Sequence, residues 1–160
     1  MSLLIEAKQQ LNRILDLCII VLMAALAVVL FVAVITRYML NFPLAWSEEA
    51  SRYAFVWLSF LGAELCLRVK MHAAVDILVK TLPPRVQYVV WKVGQSLVGI
   101  FLIALLISGI NITRVAHDQL SPALGIPMSF VYSAVPVGAA LMLLELLIQV
   151  RHDPTVLSSE

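Results

Sequence analysis

The sequence predicts an all-α integral membrane protein of four transmembrane helices, with short interfacial amphipathic helices and both termini on the cytoplasmic side. Three observations carry this. Of 160 residues, 62% are hydrophobic and 13% charged, against about 25% charged in typical soluble domains, and mean hydropathy is +0.98. Long uncharged stretches recur at the length a helix needs, about 20 residues at about 1.5 Å each, to cross a hydrocarbon core about 30 Å thick. With that length per span plus turns, the chain accommodates four spans and no extramembrane domain. The net charge of +1 gives no electrostatic case for nucleic acid or an acidic partner. Cys18 and Cys66 fall inside apolar runs, as packing residues do, rather than as a disulfide or metal pair.

In chain order, Met1–Asp16 is an amphipathic lead-in. Leu3, Leu4, Ala7, Leu11, Ile14 and Leu15 recur at helical spacing, so the segment is expected to lie along the membrane surface. The first span covers about 15–38. A cleavable signal is the competing assignment, because Lys8 and Arg13 precede the apolar run and Ala25-Leu26-Ala27 mimics a cleavage site. The uncharged run Leu17–Thr36 exceeds the roughly 7–15 residues of a signal core, so it is assigned as a retained span. Asn41-Phe42-Pro43 ends the helix, since a residue before proline is pushed out of the α region.

Ser47 is the expected N-cap of the second span, 47–69, whose Glu48 and Glu49 suit the positive end of a helix dipole. Tyr53–Leu67 is uncharged except for Glu64. That is short of a span, so Glu48, Glu49 and Arg52 belong in the headgroup layer. Met71–Leu82 is a second interfacial segment, with His72, Asp76 and Lys80 on one face and Pro83-Pro84 as its stop. The third span, 91–113, follows Tyr88 and Trp91, placed as an aromatic belt. A turn-rich loop with Pro122, Gly125 and Pro127 leads to the fourth span, 128–150. Pro136 inside it predicts a kink whose freed carbonyl Ser133 or a neighbour takes up.

Orientation follows from the cations. With the N-terminus inside, eight fall at cytoplasmic ends (Lys8, Arg13, Arg68, Lys70, Lys80, Arg85, Lys92, Arg151) and three outside (Arg37, Arg52, Arg114). No inverted repeat is visible, because the proline-bearing fourth span has no counterpart in the first half.

Glu64 and Glu145 are the two acids inside helices, and such acids are functional candidates by default. Both lie near cytoplasmic ends. Glu64 is one turn before Arg68 and Glu145 six residues before Arg151, so the sequence favours snorkelling or ion-paired residues over a proton or ion path. Glu48 and Arg52 are spaced for an i,i+4 pair, which is either an inconsequential surface pair or part of a docking surface. His72, His117 and His152 lie outside the spans, where a haem anchor would not be, and no hydrolase triad, zinc motif or phosphate loop occurs. No catalytic, metal-ligating or cofactor-binding residue is therefore expected, and His117-Asp118 suits a solvated pair better than a metal site. Trp46 and Trp91 suit the interfaces; Trp57 is deeper, packing in the bundle or facing a partner helix.

The run W-S-E-E-A-S-R-Y (Trp46–Tyr53), then V-W-L-S-F-L-G-A (Val56–Ala63), H-A-A-V-D (His72–Asp76) and L-P-P (Leu82–Pro84), resembles the small membrane subunit of the tripartite ATP-independent periplasmic (TRAP) transporters, the DctQ-type small permease. The resemblance implies a heterodimer with a large multi-span permease subunit that binds substrate and sodium, in a bacterial inner membrane. It also implies a periplasmic substrate-binding protein that delivers an organic acid, such as a C4-dicarboxylate or sialic acid. The small subunit would be a scaffold surrounded by membrane lipids, without cofactor or enzymatic activity. The motif carries over to Trp46, Glu48, Glu49, Arg52, Trp57, Gly62, His72 and Asp76 as interface or structural residues. The alternative is an autonomous small membrane protein, either an oligomeric transporter or an enzyme using His117 and Asp118.

Overall fold

The computed structural model describes residues 2–69 and 83–152, and within them the chain is helical, with one isolated antiparallel bridge between Leu120 and Pro127. Helix α1 is Ser2–Tyr38, α2 is Ala45–Arg68 and α3 is Pro84–Val115, followed by a 3₁₀ turn at Ala116–Asp118. Helix α4 is the short Ser129–Tyr132, and α5 is Ala134–His152. The interfacial segment expected over Met71–Leu82 lies outside the described residues.

Helix α1 corrects the first expectation. The lead-in and the first span are one unbroken helix of 37 residues. Nothing in Ser2–Tyr38 breaks it, since the segment holds neither glycine nor proline. At about 1.5 Å per residue it is about 55 Å long, nearly twice the hydrocarbon thickness. It stops at Tyr38, before the Asn41-Phe42-Pro43 signal. Asn41 takes a left-handed φ of 49°, which asparagine tolerates better than most side chains. The amides of Leu40 and Phe42 then fold back on the carbonyls of Ile35 (3.3 Å) and Thr36 (2.9 Å).

Helix α2 begins at Ala45 with Leu44 in the cap position and no side-chain cap, so Ser47 is not the N-cap. Ser47 lies inside the first turn, buried, and its hydroxyl donates to the Leu44 carbonyl at 2.7 Å. Helix α3 starts earlier than expected because Pro84 sits at its first turn, where a missing N–H costs nothing. The proline expectation in the last span is met in part by an interruption: α4 ends at Tyr132 and α5 starts at Ala134. The Ser133 hydroxyl donates to the Phe130 carbonyl at 2.8 Å, not to the Tyr132 carbonyl that Pro136 frees.

The helices pack as an open row in the order α1, α2, α5, α3. Among the described residues α1 meets α2, α2 meets α5 and α5 meets α3, but neither α1 nor α2 packs on α3. Only 6% of the most apolar stretch of α1 is buried, against 39% for the last span, which makes α5 the central element. The core is Leu102, Met142 and Leu146, with Phe60, Leu67, Leu105 and Leu143 packed around it. Two glycines allow the close crossings. A Cβ on Gly138 would lie 2.7 Å from that of Phe60, and one on Gly109 would lie 2.9 Å from the Pro136 ring.

Among the described residues, three segments are long and apolar enough to cross a membrane: Lys8–Tyr38, Val89–Asp118 and Ser129–Val150. Helix α2 has 24 residues, which is sufficient length, but five charged side chains keep it out of that set. The outward faces carry large apolar groups such as Leu17, Ile20, Phe31, Leu97, Ile100 and Phe101, which suit lipid or another apolar helix.

Candidate functional site

The charged side chains of the described residues gather at the two ends of the row, and the middle is apolar. At the end where α2 begins, Glu48 and Glu49 project about 100° apart because they are consecutive on a helix. Glu48 faces α1 and pairs with Arg37 at 3.2 Å, both exposed. Each group sits at the favourable end of its own helix dipole, Arg37 in the last turn of α1 and Glu48 in the first turn of α2. The expected Glu48–Arg52 pair is not formed. Arg52 is exposed and is not the partner of Glu48.

Glu49 turns inward and is 9% exposed. Its two carboxylate oxygens accept the amide of Ala123, each at 3.1 Å, and one also accepts the amide of Leu124 at 3.0 Å. The loop it holds is itself a small closed unit. Ser121 N–H donates to the Ile126 carbonyl (2.9 Å), Gly125 N–H to the Ser121 carbonyl (3.0 Å), and Gly125 supplies the φ of +63° that closes the turn. Deeper in α2, the Tyr53 hydroxyl meets the Met128 sulfur at 3.4 Å and the Trp57 indole donates to the Phe130 carbonyl at 3.1 Å. Trp57 therefore packs within the chain, at the break between α4 and α5. Helix α2 is the post to which the α3–α4 connection is tied.

At the other end, α1, α2 and α5 bring together Lys8, Asp16, Glu64, Arg68, Glu145 and Gln149. Arg68 pairs with Asp16 of α1, not with Glu64 one turn earlier. Glu145 is 5% exposed and pairs with Lys8 at 3.1 Å. Gln149 bridges Glu145 (3.2 Å) and the Leu67 carbonyl near the end of α2 (2.9 Å). Glu64 and Glu145 thus do not snorkel; they point into the packed interior. The sequence held the signal, because the charge count puts the start of α1 and the ends of α2 and α5 on one side.

The remaining expected residues divide. Trp46 is exposed in the first turn of α2. Gly62 faces open space, with nothing of this chain within 4 Å of an added Cβ. His72 and Asp76 lie outside the described residues. His117 Nδ1 lies 3.3 Å from the Ser129 hydroxyl, on a wide surface hollow of about 520 Å³ lined also by Thr113, Arg114, Phe130 and Ser133. Among the described residues no three His, Cys, Asp or Glu side chains are grouped to hold a metal.

Residues 26–154 match the family model described as tripartite ATP-independent periplasmic transporters, DctQ component. The chain belongs to this family. It is a small TRAP transporter permease subunit, a membrane-embedded transport component rather than an enzyme. It is 31% identical over 138 residues to the sialic acid TRAP transporter small permease protein SiaQ of Vibrio cholerae, covering 82% of this chain and 76% of that protein. It is 31% identical over 101 residues to the C4-dicarboxylate small permease DctQ of Rhodobacter capsulatus, covering 62% and 44%. It is 29% identical over 104 residues to the isethionate TRAP transporter permease protein DctMQ of Oleidesulfovibrio alaskensis, where 64% of this chain matches 16% of a longer protein.

Proposed function

We propose that this chain is the fixed scaffold subunit of a sodium-coupled TRAP transporter in a bacterial inner membrane. It has four spans, over about 15–38, 47–69, 91–113 and 128–150, with both termini inside. The family match carries this reading. A large multi-span permease subunit binds sodium and substrate, and a periplasmic substrate-binding protein delivers an organic acid. The relatives' names, which specify sialic acid, a C4-dicarboxylate and isethionate, support that substrate class. The DctMQ relative supports the partner, since a stretch like this chain occurs there inside a longer permease protein. The absence of charge from the middle of the described helices argues against an ion path through this subunit.

The open row leaves helix faces for the large subunit. On α2 the outward face holds Arg52, Phe55, Ser59, Ala63 and Cys66, with Gly62 beside them. Packing between helices in lipid relies on shape and a few polar contacts, since lipid tails are as apolar as leucine. Trp46, Glu48, Arg52 and Gly62 are therefore assigned to the interface, and Glu49 and Trp57 to the internal frame.

The test is recovery of this chain with a tagged large subunit, at matched membrane expression. Arg52→Glu should lower recovery more than Arg114→Glu. Equal recovery of both variants would move the interface off α2. Substrate uptake by this chain reconstituted alone would reject the accessory role and restore the autonomous reading.

A further inference from the structure

Arg114, in the last turn of α3, is a cation that no acid among the described residues answers. It is exposed and takes part in neither an ion pair nor a hydrogen bond with them. It opens onto the hollow of about 520 Å³ together with Thr113, His117, Ser129, Phe130 and Ser133. Two hydroxyls there have committed their protons, Thr113 to the Gly109 carbonyl (2.7 Å) and Ser133 to the Phe130 carbonyl (2.8 Å). His117 Nδ1 shares a hydrogen bond with the Ser129 hydroxyl at 3.3 Å, which leaves Nε2 for a ligand. Asp118 follows His117 but does not line the hollow. The groups left to bind are a guanidinium and an imidazole, a pair suited to a phosphate.

Depth narrows which phosphate this is. The apolar segment Val89–Asp118 ends at the hollow and Ser129–Val150 begins there, which sets it in the headgroup layer. Ile110, Ile107 and Ile103 precede Arg114 by four, seven and eleven residues and make one exposed row on α3. Val137, Ala140 and Leu144 follow Ser133 at the same intervals and make one exposed row on α5. Helices α3 and α5 pack on each other, so the two rows flank an apolar furrow leading out of the hollow. Eleven residues rise about 16 Å, the depth of one leaflet of a hydrocarbon core about 30 Å thick. A phospholipid carries its phosphate in the headgroup layer directly above its chains, and so answers the cation and the furrow together. A soluble anion answers only the cation.

We propose that this hollow holds a phospholipid, with its phosphodiester on Arg114 and His117 and an acyl chain in the furrow. The inference rests on the place of the chain in a membrane and not on its role in transport.

The experiment is native mass spectrometry of the full chain in maltoside micelles titrated with phosphatidylglycerol. The wild type should retain one lipid, and Arg114→Gln should bind it about tenfold more weakly or worse. Arg52→Gln removes an exposed cation outside the hollow and should bind as the wild type does. The lipid should raise the melting temperature of the wild type and not that of Arg114→Gln. Glycerophosphoglycerol, the same head without chains, should not displace the lipid at equal concentration. Displacement by it would assign the hollow to a soluble phosphate and overturn the proposal, as would equal retention by Arg114→Gln and the wild type. Unchanged retention with a loss of recovery beside the tagged large subunit would give this face to that partner instead. Should Arg114→Gln not fold, His117→Glu decides, because it sets a carboxylate where the phosphate is to bind. Weakened retention in it supports the site, and unchanged retention rejects it.

Discussion

The carboxylate of Glu49 grips the backbone amide of Ala123 with both oxygens, at 3.1 Å each, across 74 residues of sequence. A side chain near the start of one helix thus fixes the turn that joins two others. Hydrogen bonds to a charged acceptor contribute about 1.5–3 kcal/mol each, more than neutral ones.

Glu49→Ala should therefore destabilise the chain by about 2–4 kcal/mol, since it leaves the Ala123 and Leu124 amides unpaired. Glu49→Gln keeps one acceptor oxygen and should cost less. Hydrogen exchange read by mass spectrometry should show the 119–127 loop exchanging faster in the alanine variant, with the core of α5 unchanged. Equal protection in both would mean that the loop holds itself.

Gly138 and Gly62 should behave oppositely, although both are helical glycines. Gly138→Val drives a branched side chain into Phe60 and should cost about 1–3 kcal/mol by overpacking. Gly62→Ala meets nothing within 4 Å and should leave the melting temperature of the purified subunit the same or slightly higher. If Gly62→Ala lowers recovery with the large subunit while the subunit itself stays stable, Gly62 lies in the interface as proposed.

Lys8→Met removes the cation that answers a buried carboxylate. Breaking a fully buried pair costs about 3–5 kcal/mol, but the Lys8 side chain is 31% exposed, so about 1–2 kcal/mol is expected. The double variant Lys8→Met, Glu145→Gln should recover part of that loss. A thermal-melt mutant cycle with no coupling would show that the pair does not hold α1.

Topology is checked by labelling single cysteines in a background lacking Cys18 and Cys66. Sites at Asn41 and Gln119 should react from the periplasm, and one at Glu6 only after the cell is opened. Both loop sites are exposed, whereas Ser121 is 3% exposed and would react poorly from either side. Periplasmic labelling at Glu6 would reverse the orientation drawn from the lysines and arginines.

The sequence by itself determined what depends on neighbours in the chain. Apolar run lengths set the membrane class and the approximate helix limits, Pro136 set the break before α5, and the Trp46–Asp76 motif set the family. What depends on residues far apart in sequence was decided only by packing. Glu48 and Arg52 are spaced to pair, yet Arg37, brought up at the end of α1, takes Glu48. Glu64 and Arg68 are likewise spaced to pair, yet Asp16 takes Arg68. Helical spacing states which pairs are possible; it does not say which competitor another helix brings. The lead-in was misplaced for a related reason. Amphipathic periodicity looks the same whether its apolar face meets lipid headgroups or another helix, and only the contact of Lys8 with Glu145 distinguishes the two.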